Sequence, residues 1–285
     1  MFTLLRTSAL LAVAALLSSA ITPARAQNAS ASSSAKPFVI PPDINGHKTI
    51  VAAPVTTRPI RIAIYDGPGS GDSGIEHVEA RARQLAGAQI TRLSPAEVGT
   101  ADLTGRFDVI VFSGGSGSKQ GNAIGEAGRT NVREFVRNGG GYFGVCAGAY
   151  LACANFEWGL GILDARTVSS KWRRGRAFLD IRLDPAGREI FGPVTDVFKV
   201  RYNNGPVIKP MGRDDIPDYT PVATYLTEIA DNGTPVGVQV GSPAQAIGTF
   251  GKGRVFISSP HPENTPGLEN MVPRALLWAA GGPTE

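Results

Sequence analysis

Between residues 58 and 146, apolar β-branched runs alternate with helical patterns, and this alternation restricts the possible folds more than any other feature of the chain. Strands are predicted at residues 60–65, 88–93, 107–112 and 142–145. The run at 107–112 is almost continuously apolar, which is typical of a strand buried on both faces. Helices are predicted at residues 75–85 and 130–138. Strands and helices in this order predict βαβ units and a mainly parallel sheet.

The second half of the chain has a different pattern. Short strands separated by Gly, Pro and Asp turns are predicted at residues 177–183, 197–202 and 236–240. Two late strands, at 246–250 and 255–259, flank a Gly251-Lys252-Gly253 hairpin signal, and a helix is predicted at 268–280. The expected fold class is therefore α/β, with a mainly parallel central sheet and an antiparallel extension.

The first residues have the pattern of a secretory signal peptide, predicted over residues 1–26. Arg6 provides the positive charge, residues 9–20 are small and apolar, and Ala24-Arg25-Ala26 fits a cleavage site before Gln27. The apolar run is shorter than the roughly 20 residues that a membrane-spanning helix needs. A periplasmic or secreted protein without a stable membrane anchor is expected; an uncleaved anchor is the alternative.

Residues 27–57 begin with a Ser/Ala/Asn tract and contain several prolines, which predicts a flexible leader before one domain at 58–285. Loss of Arg6 and Arg25 with the signal peptide lowers the formal charge from +4 to +2. Such a weak charge does not favour polyanions, so no nucleic-acid partner is expected.

The two cysteines, Cys146 and Cys153, are predicted to stay free. They lie seven residues apart in a segment with a helical pattern, which separates their Cα atoms by about 10 Å. A disulfide needs less than about 7 Å. The exported chain should therefore carry at least one free thiol.

One of these thiols, Cys146, lies in Gly144-Val145-Cys146-Ala147-Gly148, where a predicted strand turns sharply into a helix. This is the pattern of a nucleophile elbow with Cys in place of Ser. A helix N-terminus favours a thiolate, and the Ala147 N–H would face a developing oxyanion. The Ser113-Gly114-Gly115 loop is placed to supply a second donor. The alternative is a buried structural cysteine in a Gly-rich turn.

A candidate base follows the last strand, in Pro260-His261-Pro262-Glu263. The prolines favour an extended backbone, in which residues two apart point the same way. Glu263 could then orient the His261 ring towards a thiol, an arrangement that generates a nucleophilic thiolate. The alternative is a turn histidine with an accidental acidic neighbour.

These motifs together resemble the class I glutamine amidotransferase-like superfamily, most closely the domain at the N-terminus of certain biotin–protein ligases. The resemblance rests on Cys146-Ala147-Gly148-Ala149-Tyr150 and Ser259-Pro260-His261-Pro262-Glu263 and covers roughly residues 58–282. It implies a flavodoxin-like three-layer sandwich.

The resemblance also implies roles for individual residues. Cys146 would be the nucleophile, His261 the general base and Glu263 its orienter, with the Gly115 and Ala147 amides as oxyanion donors. Ser113 stands where amidotransferase loops commonly have a proline.

The function expected from these residues is cysteine-dependent hydrolysis of a small-molecule or peptide-like amide. No synthetase or ligase domain is recognised in the sequence, so glutamine-dependent amide transfer and biotin transfer are not expected. A binding module that keeps the fold without turnover is the alternative. No cofactor is predicted, and a protein partner is left open.

Three further features have weaker signals. The basic cluster at residues 166–176 is either an anion-binding edge near the site or a solvated hairpin face. Residues 202–205 (Tyr-Asn-Asn-Gly) either line a pocket or form a turn. The spacing of Asp66, Asp72, Glu76 and His77 matches no metal motif, so no metal is predicted.

Overall fold

A nine-stranded sheet forms the centre of the computed structural model, which describes residues 38–46, 49–56 and 58–282. From one edge of the sheet to the other, the strands are β2 (Gln89–Leu93), β1 (Arg61–Tyr65), β3 (Val109–Phe112), β4 (Gly141–Val145), β11 (Gly253–Ser258), β10 (Pro243–Phe250), β9 (Thr220–Tyr225), β6 (Arg176–Leu183) and β7 (Phe198–Asn203). Neighbours from β2 to β11 are parallel, and neighbours from β11 to β7 are antiparallel. The predicted mainly parallel sheet with an antiparallel extension is confirmed.

A separate two-stranded antiparallel sheet pairs β5 Ala165–Thr167 with β8 Ile208–Pro210.

The helices lie between these strands and after the last one: α1 Asp72–Ala82, α2 Pro95–Thr100, α3 Leu103–Arg106, α4 Gly117–Arg137, α5 Ala147–Ala152, α6 Pro185–Phe191 and α7 Met271–Ala279. A 3₁₀ turn, Pro262–Asn264, follows β11.

The inner parallel strands β1, β3 and β4 are buried on both faces, which is why nearly all of their residues are apolar or glycine. Ile62 and Ile64 of β1 enter one hydrophobic core, together with buried side chains of α1, α6 and α7. The alternate residues Ala63 and Tyr65 enter a second core with buried side chains of α2, α3, α4 and α5. Because successive strand residues point to opposite faces, the sheet has a helical layer on each side, and the predicted three-layer sandwich is confirmed.

The antiparallel region differs in detail from the sequence prediction. Residues 236–240, predicted as a strand, form a loop in which Val236 is 76% exposed and Gly237 has a φ of +76°. The strand that occupies the sheet instead is β9, whose sequence TPVATY has a weak apolar signal. Helix α6 was also not predicted.

Helix α4 begins thirteen residues before the predicted start at 130. Its first half is rich in glycine and polar residues, and Gly125, at a φ of +63°, interrupts the helical backbone. Only the second half therefore has the continuous apolar stripe that predicts an amphipathic helix.

Residues before 58 also pack against the domain. The Asn45 side chain donates to the carbonyls of Lys199 and Pro266, both at 2.9 Å, and accepts from the Lys199 N–H at 2.9 Å. Val51 is fully buried. The described part of the predicted leader thus lies against the domain, while the predicted signal peptide and residues 27–37 lie outside the described residues.

Cys146 and Cys153 are both free and buried. Within the described ranges no helix has the length and apolar character needed to cross a membrane. In the same ranges no three His, Cys, Asp or Glu side chains are grouped so that they could hold a metal ion.

Candidate active site

The candidate site lies at the carboxyl ends of three adjacent parallel strands. Cys146 follows β4, His261 comes shortly after β11, and the Ser113-Gly114-Gly115 loop follows β3. Open α/β sheets bind their ligands at this edge. Strand order therefore brings together motifs that are more than a hundred residues apart in sequence.

Cys146 is held in a strained conformation between β4 and α5. Its φ is +49° and its ψ is −93°, and the other described non-glycine residues with positive φ are asparagines, Asn204 and Asn232. Asparagine tolerates this region, whereas cysteine adopts it only when the surrounding structure imposes it. The Cys146 N–H donates to the Ser258 carbonyl at 2.8 Å, which ties the turn to β11.

The glycines on either side of Cys146 are required by close packing. A Cβ on Gly144 would lie 2.5 Å from the Gly148 carbonyl oxygen, and a Cβ on Gly148 would collide with the Phe112 carbonyl oxygen. The Gly148 carbonyl also accepts from the Tyr142 hydroxyl at 2.8 Å. The strand and the helix therefore approach each other as in a nucleophile elbow.

His261 and Glu263 form a buried pair. The His261 Nδ1 atom lies 2.7 Å from the Glu263 Oε1 atom, and the two residues are 5% and 1% exposed. The backbone between them is not extended, contrary to the sequence expectation, because Pro262 begins the 3₁₀ turn. Proline suits a first helical position because its φ is already helical. Glu263 reaches the ring from this turn.

The His261 ring has a strongly raised pKa. Burial by itself lowers the pKa, but the charges of Glu263 and Cys146, and hydrogen bonding with both, raise it from 6.5 to about 10. By strict geometry Nε2 has no hydrogen-bond partner among the described residues. The contact between Cys146 and the ring is therefore looser than a standard hydrogen bond.

Gly114 separates the cysteine from the histidine. A Cβ at this position would lie 2.9 Å from His261 Cε1 and 3.8 Å from Cys146 Cβ. The absence of a side chain thus lets both residues approach the same point. The sequence predicted this loop only as a source of oxyanion donors. The signal that could have suggested its second role, leaving room for Cys146 and His261, is the Gly-Gly pair after a buried strand.

The two predicted oxyanion donors follow neighbouring parallel strands. Gly115, with a φ of +144°, follows β3, and Ala147 is the first residue of α5. The Gly114 carbonyl accepts from the Gly71 N–H at 3.0 Å. In a trans peptide the C=O and N–H point in opposite directions, so the Gly115 N–H points away from Gly71. A first helical residue has no intrahelical partner for its N–H.

Strand β7 covers the thiol. The Cys146 Sγ atom lies 3.5 Å from the Asn203 carbonyl oxygen, and the next carbonyl, of Asn204, accepts from the Tyr150 hydroxyl at 3.1 Å. Two residues before Asn203, the Arg201 carbonyl accepts from the His261 N–H at 2.8 Å. The segment 202–205, predicted from the sequence as either a pocket wall or a turn, therefore includes one residue, Asn203, that lies against the sulfur.

The basic cluster at residues 166–176 does not behave as one surface. Arg174 is 3% exposed, lies 3.4 Å from a Glu228 carboxylate oxygen and donates to the Pro235 carbonyl at 2.9 Å. Arg173 is exposed and stacks on Trp172, whereas Arg176 is exposed and donates to the Asn203 side chain at 3.2 Å. Only Arg176 of these three therefore contacts a residue that lies against the thiol.

Comparisons with known proteins agree with this architecture. Residues 60–178 match the family model described as biotin-protein ligase, N terminal. An uncharacterized protein of Chlamydia muridarum is 26% identical over 109 residues, which are 34% of this chain and 39% of that protein. The match thus spans well under half of this relative.

Solved structures share the fold at low sequence identity. PurLQS from Thermotoga maritima superposes with a TM-score of 0.55 and 14% identity, over 76% of this chain and 97% of the other. A glutamine amidotransferase gives a TM-score of 0.52 and 19% identity, over 77% of this chain and 98% of the other. A ThuA-like protein from Parabacteroides merdae superposes with a TM-score of 0.53 and 13% identity, over 80% of this chain and 92% of the other. The chain has the class I glutamine amidotransferase-like fold, and its residues 60–178 match the biotin-protein ligase N-terminal family.

Proposed function

We propose that this protein is an exported hydrolase that cleaves amide bonds through Cys146, His261 and Glu263. The observation that supports the proposal most is the buried His261–Glu263 pair, 2.7 Å apart, which shares the space beside Gly114 with the cysteine. A histidine oriented by a carboxylate next to a thiol is the arrangement that activates a cysteine nucleophile.

The proposed reaction has two stages. The Cys146 thiolate attacks the amide carbonyl carbon, and the resulting oxyanion accepts hydrogen bonds from the Gly115 and Ala147 amides. His261 gives its proton to the departing nitrogen, so that the C–N bond breaks and a thioester remains. The neutral ring then takes a proton from water, whose oxygen attacks the thioester and releases the acid and the thiolate.

The raised pKa of His261 suits the first stage. With a pKa of about 10, the ring holds a proton at neutral pH. It is therefore ready to act as the acid when the amine leaves, and its positive charge stabilises a thiolate.

The proposed setting is supported by the residue pattern of positions 1–26 and by the net charge. The pattern of residues 1–26 supports export, and the weak net charge after its removal supports a small or peptide-like amide as the substrate rather than nucleic acid. The comparison proteins include a glutamine amidotransferase, which supports an amide carbonyl as the reacting group.

A non-catalytic binding module is the second candidate, and restricted access to the thiol favours it. Cys146 is 6% exposed, and the Asn203 carbonyl lies over its sulfur. A substrate must displace or pass this segment to reach the sulfur. A protein that does not catalyse a reaction at Cys146 needs no access to it.

The two candidates are separated by the reactivity of Cys146. Alkylation by iodoacetamide is followed from pH 5 to pH 10 in the wild type and in His261→Ala. The hydrolase predicts rapid alkylation below pH 8 that slows in the variant. A thiol that is inert below pH 8 and indifferent to the substitution supports the binding module.

Turnover is then sought with a library of amides and γ-glutamyl compounds, comparing the wild type with Cys146→Ser. A substrate that the wild type cleaves and Cys146→Ser does not would identify both the bond and the nucleophile.

A further inference from the structure

Two arginines lie near the covered thiol, Arg176 at the start of β6 and Arg201 on the neighbouring strand β7. Arg176 Nε donates to Asn203 Oδ1 at 3.2 Å, and the carbonyl of the same Asn203 lies 3.5 Å from Cys146 Sγ. Arg201 precedes Asn203 by two residues, so both side chains project from the same face of the strand. The main chain of Arg201 is fixed to the site by the His261 N–H.

The Arg201 guanidinium is half-buried and incompletely paired. Its Nε atom is buried without a hydrogen-bond partner among the described residues. Its Nη1 atom donates to the Asn264 side-chain oxygen at 3.1 Å, in the amide orientation that also lets Asn264 donate to the His261 carbonyl. The described part of the chain places no carboxylate within ion-pair distance of Arg201 or Arg176.

The charges around Arg201 leave it short of negative partners. Burial lowers the pKa of Arg201, Glu263 and Cys146 raise it by their charges, and the positive charge of Arg176 lowers it. Two like charges that lie close together repel each other, and an anion that pairs with both removes this repulsion.

We propose that Arg176 and Arg201 bind a carboxylate group of the substrate beside Cys146. The inference rests on the proposed function and narrows it to amides that carry a free carboxylate near the scissile bond. A guanidinium fork matches the two oxygens of a carboxylate, and such hydrogen bonds are stronger than neutral ones. The buried Glu263 carboxylate nearby favours a singly charged ligand over a phosphate dianion.

Arg174 shows how this fold treats an arginine with a structural role. Its guanidinium is buried and satisfied by Glu228 and by the Pro235 carbonyl. Arg176 and Arg201 have no such carboxylate partner among the described residues, although one is exposed and the other is half-buried. A ligand carboxylate would complete their pairing.

The first test uses two alkylating agents that differ only in charge. Iodoacetate carries a carboxylate and iodoacetamide an amide. The alkylation rate of Cys146 with iodoacetate is divided by its rate with iodoacetamide, and this ratio is normalised by the same ratio for free cysteine. The variants are Arg176→Gln and Arg201→Gln. Arg173→Gln is the matched control, because it removes the same charge from an exposed arginine of the same segment that stacks on Trp172.

The proposal predicts that the normalised ratio is above one in the wild type and falls about tenfold in Arg176→Gln and Arg201→Gln. It should stay within about twofold in Arg173→Gln, and added salt should lower the wild-type ratio. An equal ratio in all four proteins would overturn the subsite.

A second measurement needs no reactive thiol. Propionate and propionamide are titrated into Cys146→Ser, and the Nε–H resonances of the arginines are followed by NMR. The subsite is supported, even when no amide is hydrolysed, by saturable shifts that appear with propionate and not with propionamide. These shifts should be lost when Arg176→Gln is combined with Cys146→Ser. Identical responses to both compounds overturn it even when turnover is found, so its failure is distinct from failure of the proposed hydrolase.

Discussion

The carbonyl oxygen of Asn203 lies 3.5 Å from the sulfur of Cys146, although Asn203 ends the edge strand β7 and Cys146 follows β4. Four strands, β11, β10, β9 and β6, lie between these two strands in the sheet. The His261 N–H makes a second link to the same strand, at Arg201. The antiparallel extension therefore curls back over the carboxyl ends of the parallel strands and covers the candidate site.

Substitution of Gly114 by alanine should disable the site without unfolding the protein. The new methyl group would lie 2.9 Å from His261 Cε1, so the ring must move. A displacement of about 1 Å lowers turnover by roughly 100-fold. Once a substrate is known, kcat is measured beside the iodoacetamide rate, and both should fall.

The control for this substitution is Gly71→Ala in the adjoining loop. A methyl group there meets only the Gly114 carbonyl oxygen, at an ordinary 3.7 Å. Both variants should keep the wild-type circular dichroism spectrum. Wild-type rates in Gly114→Ala would contradict the geometry described for the site.

The titration of His261 should occur well above neutral pH. The folded pKa is raised from 6.5 to about 10, so the protonated ring stabilises the fold fully below about pH 6.5 and loses this contribution as pH rises towards 10. Glu263→Gln removes a negative charge and should lower the midpoint. The measurement is NMR of ¹⁵N-labelled histidine, with His77→Gln to identify an exposed ring. A wild-type midpoint near 6.5 would refute the prediction.

The two thiols should differ in reactivity. Burial raises the pKa of Cys153 from 9.0 to about 12, and its Sγ atom donates to the Ala149 carbonyl at 3.3 Å. Brief treatment with iodoacetamide at pH 8 should therefore modify Cys146 alone, as mass spectrometry of peptides would show. Cys153→Ala should leave the extent of labelling unchanged, and substantial labelling of Cys153 in the folded protein would count against the prediction.

Asn45 should contribute to stability although it precedes the predicted domain. Its side chain makes three hydrogen bonds, to Lys199 and Pro266. Asn45→Ala should lower the free energy of unfolding by about 1–3 kcal/mol and expose residues 38–56 to proteases. Urea denaturation and limited proteolysis test both effects, with the exposed Thr49→Ala as the control. No change in either measurement would mean that this segment does not stabilise the domain.

The sequence by itself determined the parallel half of the fold and the candidate residues. Strands buried on both faces are continuously apolar, and glycine is required where β4 meets α5, so both features are visible as local patterns. The family resemblance could also be recognised from the sequence, because its motifs are short and contiguous. The weakly apolar β9 and the polar first half of α4 were not predicted, because tertiary packing fixes their structure rather than local propensity.

Only the tertiary structure decided how the distant segments meet. The curl of the antiparallel strands brings Asn203 and Arg201 against the cysteine and histidine through main-chain atoms, and main-chain contacts leave no trace in residue type. The role of Gly114 as the space shared by Cys146 and His261, and the pairing of Arg176 with Asn203, two residues after Arg201, are likewise set by the tertiary structure. Each depends on long-range register and on how the chain is packed, which no local pattern of residues encodes.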